Sequence, residues 1–209
     1  ANAAGTITAT TGATLVQATA IRGFFPAGAI TYSISDSAAN LAAAPADYVI
    51  SGAAAITATT AATVAQAAAI KALTPLGATT YNLTDTTANL VAADSTTANG
   101  ASVITASDAA SVADAAVIEA FTNSGATIYN LSDSAANLAA AGSAVGNTAA
   151  AITVIDTATV AQATIIEAFT NTGVTTYNLV DTAANLWAAS NAVGNGAGTI
   201  TATDSATVV

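Results

Sequence analysis

The chain has 209 residues, of which 53% are hydrophobic and only 7% charged. Its formal charge is −10, with Arg22 and Lys71 as the sole cationic side chains. Two cations cannot neutralise a run of phosphates, which argues against nucleic acid and anionic lipid surfaces as partners. The absence of Cys and His excludes disulfides, zinc fingers and Ser-His or Cys-His nucleophilic pairs within the chain, and no apolar run reaches the roughly 20 residues that cross a bilayer, so no membrane insertion is expected.

The first predicted element is a strand from Ile7 (ITAT), followed by Thr11 and an Ala-rich helical stretch that ends near Arg22. A second strand starts at Tyr32 (YSISD), with Asp36 four residues on and a shorter helix behind it. The same pair then returns along the chain. Long halves begin at Ile56, Ile104, Ile152 and Ile200, and tyrosine halves at Tyr81, Tyr129 and Tyr177; the tyrosines recur at spacings of 49, 48 and 48. In each strand start, such as YNLSD or ITASD, alternate residues are apolar, the period-two pattern of a strand with one buried face. Positions such as Tyr129 and Leu131 therefore point inward, and Asn130 and Ser132 outward.

Behind each strand an Asp precedes Ser/Thr and Ala, as in Asp133–Ala141 and Asp156–Phe169. An Asp before an Ala-rich stretch reads as an N-cap, because its carboxylate accepts from first-turn amides at the positive end of the helix dipole. Asp36, Asp85, Asp133 and Asp181 are thus assigned as structural caps. In the long halves Val160, Ile166 and Phe169 supply a buried stripe and Thr170–Gly173 closes the helix. In the tyrosine halves the short helix is followed by a Gly/Asn/Ser-rich loop such as Gly142–Asn147.

A period of this length predicts a stacked array whose units bury their apolar faces against one another. The expected fold is α/β: a repeat solenoid of strand-helix segments of about 24 residues, two per 48-residue unit, forming one parallel β-sheet with helices on the other side, in the manner of leucine-rich repeats. A 48-residue turn carrying two separate sheets is the alternative. The whole of 1–209 reads as a single repeat array, with units of roughly 7–55, 56–103, 104–151 and 152–199 and a partial unit 200–209. Asn2–Thr10 matches Asn195–Thr203 at an offset of 193 residues. With no initiator Met, signal peptide or capping sequence at either end, the chain is expected to be a fragment of a longer one.

Four columns recur through the units. The first is Asp36, Asp85, Asp108, Asp133, Asp156, Asp181 and Asp204, with Thr11 and Thr60 in the same place of the other two halves. Helix capping explains this column, because Thr also caps; calcium bridging of stacked carboxylates is its second reading, although no GGxGxDxxx or EF-hand loop is present. Arg22, Lys71, Glu119 and Glu167 form a column eleven places after the cap, read as an exposed helix position that tolerates any charge, with a Lys71–Glu119 pair as the alternative. The outward strand positions Thr8, Thr57, Asn82, Thr105, Asn130, Thr153, Asn178 and Thr201, together with Ser33, form a polar face. That face reads either as an ordinary β-ladder or as a surface for ice or glycan. The fourth column, Asn40, Asn89, Asn137 and Asn185, is expected to bond backbone in the adjacent turn. The tyrosines read as core with their hydroxyls partnered. Trp187, in a place otherwise held by small residues, reads as a surface irregularity.

The phrases YNLSDSAANLAAA (Tyr129–Ala141) and ATVAQA (Ala158–Ala163) resemble the Ala/Thr-rich repeats of very large secreted surface proteins of proteobacteria and cyanobacteria, of adhesin-like, haemagglutinin-like or S-layer-like description. The resemblance covers the whole chain. It implies an extracellular or cell-surface location in a bacterium, often reached by type I secretion, and it carries no catalytic residues. The expected function is therefore a structural repeat segment of an extracellular fibre, surface layer or adhesin, a stiff spacer and self-association surface. Its partners would be copies of itself, end-to-end or lateral. The alternative is a binding module whose Thr/Asn face takes ice or surface glycan. No enzyme activity and no cofactor is expected, calcium aside.

Overall fold

In a computed structural model, residues 5–24 and 29–205 are described. The last four residues of the partial unit 200–209, and Asn2–Ala4 of the matching end segments, lie outside them. In chain order the elements are β1 (Ile7–Thr8), α1 (Leu15–Arg22), β2 (Ile30–Thr31), β3 (Ile34–Asp36), α2 (Ala38–Ala42), α3 (Tyr48–Ser51), β4 (Ile56–Ala58), α4 (Val64–Lys71), β5 (Thr79–Thr80) and β6 (Leu83–Asp85). They continue as α5 (Thr87–Val91), α6 (Ser95–Asn99), β7 (Ile104–Ala110), α7 (Val112–Glu119), β8 (Thr127–Asp133), α8 (Ala135–Ala140) and α9 (Ser143–Thr148). The remainder is β9 (Ile152–Ala158), α10 (Val160–Glu167), β10 (Thr175–Asp181), α11 (Ala183–Ala188), α12 (Asn191–Gly196) and β11 (Ile200–Ala202).

The fold is α/β. Six strands form a parallel sheet in the order β11-β10-β9-β8-β7-β6, and smaller parallel sheets are β1-β2 and β3-β4-β5. Hydrogen bonding thus divides the described strands among three sheets where one was expected. The breaks have a local cause: the segments Ile30–Asp36 and Thr79–Asp85 are each interrupted in mid-strand, whereas their counterparts β8 and β10 run unbroken for seven residues. Isolated bridges from Ala13 to Ile34 and from Ala62 to Leu83 continue the pairing past the interruptions.

The chain divides into two compact units: residues Ala1–Asp85, Ala92–Thr105 and Thr122–Ala126, and residues Thr86–Val91, Ala106–Phe121 and Thr127–Val209. In the first, Tyr32, Ile34, Leu41, Ile50, Ile56, Ile70, Tyr81 and Leu83 are fully buried, and α2 packs on α4, α4 on α6 and α1 on α3. In the second, one core gathers Tyr129, Leu131, Leu138, Ile152, Ile166, Tyr177 and Leu179, with α8 against α10 and α7 against α9. Burying one such Leu or Ile contributes about 1.5–3 kcal/mol. The eight-residue helices are too short to persist alone; each buries an Ala at its centre (Ala18, Ala67, Ala115 or Ala163), and that small side chain lets the helix backbone come close to its neighbours.

One expectation about local structure is corrected. The Gly142–Asn147 loop is helical: α9, like α3, α6 and α12, is a short second helix in its tyrosine half. Asp47, Asp94 and Ser190 accept first-turn amides of α3, α6 and α12. α10 ends at Glu167 with Ala168 as its C-cap, ahead of Thr170–Gly173, and Gly173 has no positive φ. Its role is steric, because a Cβ there would lie 2.2 Å from Ala150 O, just as one at Gly77 would lie 2.2 Å from Ala54 O.

The pairing register differs from the alignment of the half-repeat phrases. Ile152 pairs with Leu131 on one side and Thr175 on the other, so the start of this long half aligns with the residue two after the preceding tyrosine and with the residue two before the following one, not with the tyrosine itself. Between Ile152↔Thr175 and Ala158↔Leu179 the β9 strand carries two more residues than β10, an irregularity whose even count leaves the inward side chains of both strands facing the core.

Candidate functional site

The Asp column is the most regular polar feature, and it does not cap its own helix. The N-caps are the following Ser or Thr: Ser37, Ser134 and Thr182 accept from Asn40, Asn137 and Asn185 amides. Each Asp reaches instead to the helix before it. The Leu15 amide donates to Asp36 Oδ2 (2.9 Å), Val64 to Asp85 (2.9 Å), Val112 to Asp133 (2.9 Å) and Val160 to Asp181 (3.0 Å). In the long halves Thr87 donates to Asp108 (2.6 Å), Ala135 to Asp156 (2.7 Å) and Ala183 to Asp204 (2.6 Å), while Thr60 Oγ1 accepts from Ala38 (3.0 Å). The separation is 21 residues for every Asp and 22 for Thr60. Thr in this column is explained, since a hydroxyl oxygen accepts the same amide.

A helix leaves its first amides without intrahelical acceptors, and here the N-cap hydroxyl takes one while a carboxylate from the next half takes another. The second carboxylate oxygen is also engaged. Asp36 Oδ1 accepts from the Ser37 amide (2.8 Å) and Asn40 Nδ2 (2.8 Å); Asp133 does so from Ser134 and Asn137, and Asp181 from Thr182 and Asn185. The Asn column therefore steadies the carboxylate of its own half instead of bonding an adjacent turn, because four residues on in a helix faces the same side.

These donors show in the acidities. Leu15 first, then Asn40, hold the Asp36 carboxyl below its usual value, and Asn185 and Val160 do the same for Asp181. At Asp133 burial pushes upward, but the bonds from Val112, Asn137 and Ser134 together outweigh it. For calcium, the candidates Asp36, Asp85, Asp108, Asp133, Asp156, Asp181 and Asp204 lie one per half, and among the described residues no three acidic side chains gather into a metal-binding group.

The tyrosines form the second column. Tyr32, Tyr81, Tyr129 and Tyr177 are buried, and their hydroxyls donate to Val49 O (2.5 Å), Thr97 O (2.8 Å), Val145 O (2.8 Å) and Val193 O (2.8 Å) in the short helices α3, α6, α9 and α12. Beside the hydroxyls of Tyr32, Tyr81 and Tyr177 lies the long charged side chain ten residues earlier in sequence. A Cβ on Gly52 would meet Tyr32 Oη at 3.0 Å and Arg22 Cζ at 3.3 Å; one on Gly100 would meet Tyr81 Oη at 2.5 Å and Lys71 Nζ at 2.9 Å. At Gly196 the corresponding neighbours are Tyr177 Oη at 2.6 Å and Glu167 Oε1 at 3.0 Å. The Arg22 guanidinium also lies 5.6 Å from the Tyr48 ring centroid, a cation–π distance.

The charged column, expected as an exposed helix position, is exposed at Lys71 and half-buried at Arg22, Glu119 and Glu167, and at Arg22, Lys71 and Glu167 it also neighbours the tyrosine. Residue spacing carried the signal: the interval of ten from Arg22 to Tyr32, Lys71 to Tyr81, Glu119 to Tyr129 and Glu167 to Tyr177 is constant. Burial and then the Glu167 charge push the Tyr177 hydroxyl up to about 12.

Of the strand-face candidates, Thr8, Thr57, Asn82, Asn130, Thr153, Asn178 and Thr201 are exposed and Thr105 is half-buried. They do not form one row. Thr57 lies between Ser35 and Thr80, Thr153 between Ser132 and Thr176, Thr8 beside Thr31 and Thr201 beside Val180, while Asn178 lies opposite Thr157. The observed rows are thus richer in Thr and Ser than the expected ladder. Trp187 is 90% exposed on α11. No helix among the described residues is long and apolar enough to cross a membrane. No family model, curated protein or solved structure matches the chain.

Proposed function

We propose that the chain is a structural repeat segment of an extracellular fibre, surface layer or adhesin, with its strand-helix halves stacked as a leucine-rich-repeat-like solenoid. It acts as a stiff spacer and associates with copies of itself. One observation carries the reading: seven Asp and one Thr are spent on joining each helix start to the following half. Carboxylates so engaged support a role in connecting consecutive halves. No catalytic role is assigned. Bacterial and extracellular placement rests on the resemblance of the YNLSDSAANLAAA and ATVAQA phrases.

Electron microscopy of the purified chain, with sedimentation over a hundredfold concentration range, tests the reading. Unbranched filaments or concentration-dependent assemblies are expected; monodisperse monomers throughout would sink it.

The rows Ser35–Thr57–Thr80 and Ser132–Thr153–Thr176 favour a second reading, a module whose hydroxyl face takes ice or glycan. Thr57→Lys and Thr153→Lys separate the two: lost ligand binding with assembly intact selects the binding module, and unchanged behaviour in a glycan array and an ice-recrystallisation assay removes it.

A further inference from the structure

Each long helix after α1 is covered on one side by a short helix of the half before it: α2 packs on α4, α5 on α7 and α8 on α10. Ile70, Ile118 and Ile166 of these long helices are fully buried. Among the described residues no helix precedes α1 and no long helix follows α11, so one such contact is missing from each. The exposures follow suit. Ile21, in the place of Ile70, is only half-buried, and Phe24 is 57% exposed where Leu73 is 7%. Gly12, Gln17, Ala20, Ile21 and Phe24 line an open groove of about 410 Å³ beside α1. On α11, Leu186 is half-buried where Leu41, Leu90 and Leu138 are fully buried. The next residue is Trp187, 90% exposed where Ala42, Val91 and Ala139 are half-buried.

We infer that Trp187 of one copy seats in the groove beside α1 of a second, so that α11 and α1 supply each other's missing contact. The inference rests on the self-association proposed above and names the surfaces that make it. β11 already holds the edge of β10, and β1 of the second copy adds to the free edge of β11. That places α1 one strand spacing, about 4.8 Å, further out than in the internal contacts. An indole spans such a gap where an Ala does not, and burying it removes about 150–250 Å² from water.

Charge favours the same pairing. Both cations and four of the acidic residues precede Ile104, and the other eight acidic residues follow it with no cation. Contact of α11 with α1 sets the more acidic part of one copy against the less acidic part of the next, whereas two α11 faces in contact would oppose like with like. Because Trp and groove lie on different elements, the contact is heterologous and leaves one of each free for further copies.

Trp187 is the single Trp of the chain, so intrinsic fluorescence reads the contact directly. Over a hundredfold concentration range, in samples also followed by sedimentation, its emission should move to shorter wavelength and acrylamide quenching should weaken several-fold as assemblies form. Ala20→Arg blocks the groove from an exposed helix position, and Trp187→Ala removes the side chain that fills it. Each variant alone should stay monomeric where the native chain assembles, with an unchanged circular dichroism spectrum. Mixed in equal amounts, the two should form a dimer and nothing larger, because Trp187 of the first enters the groove of the second, and the emission shift should return. Assemblies in which Trp187 stays open to acrylamide, or a mixture that neither dimerises nor shifts, overturn this contact and leave self-association to another surface. Monomers throughout in the native chain remove both.

Discussion

Asp133 gathers three donors from two halves of the chain, the Val112 and Ser134 amides and Asn137 Nδ2. Asp133→Ala strands all three and is expected to cost about 1–3 kcal/mol, whereas Ser134→Ala removes one cap bond and should cost about 1 kcal/mol; urea unfolding of the two variants checks the order. The same carboxylates set the acid limit. Asp36, Asp133 and Asp181 have depressed folded values, so their contribution is present above the unfolded value of about 3.9 and lost as pH falls through the folded values. Circular dichroism should accordingly show stability declining below about pH 4, and a flat profile down to pH 2 would contradict the assignment. Tyr81→Phe leaves Thr97 O without its donor and should cost about 1–3 kcal/mol, a loss visible as a lower denaturation midpoint.

At the scale of elements, glycines divide into those held by contact and those that are not. A Cβ at Gly173 would lie 2.2 Å from Ala150 O, a backbone atom, while at Gly194, inside α12, nothing lies within 4 Å. Gly173→Ala should therefore lower the melting temperature, and Gly194→Ala should leave it unchanged or raise it, because Ala is the better helix residue by about 0.5–1 kcal/mol. The strands and the longer helices were legible in the sequence because Ile56, Ile104, Ile152, Tyr129 and Leu131 keep strict alternation and all are buried. What hid the second helices is their brevity: α9 is Ser-Ala-Val-Gly-Asn-Thr, with a composition that reads as loop. A tyrosine hydroxyl from β8 occupies one of its carbonyls, a tertiary bond that local propensity does not encode. Strand register was not legible for a related reason. Similar phrases align tyrosine with isoleucine, but pairing is fixed by which residues face the core on both sides of a two-residue bulge. The charged column was legible only as an interval, since its partner is ten residues away on a strand.

At the scale of the molecule, a charge of −10 acts against assembly, because like-charged copies repel over a Debye length of about 10 Å at 0.1 M salt. If copies associate as proposed, raising sodium chloride from 20 to 500 mM should shift sedimentation toward larger species; dissociation on adding salt would instead point to ion pairs as the contact. The 21-residue carboxylate bond carries one more consequence. Donor and acceptor belong to consecutive halves, so removing residues 104–151 takes away Asp108, the acceptor of the Thr87 amide, and brings Asp156 to the same distance along the chain. Such an excision deletes as many acceptors as donors, and every junction that remains is closed by a residue of the same kind. Gain or loss of a whole 48-residue unit is therefore the length change that this bonding pattern would tolerate best.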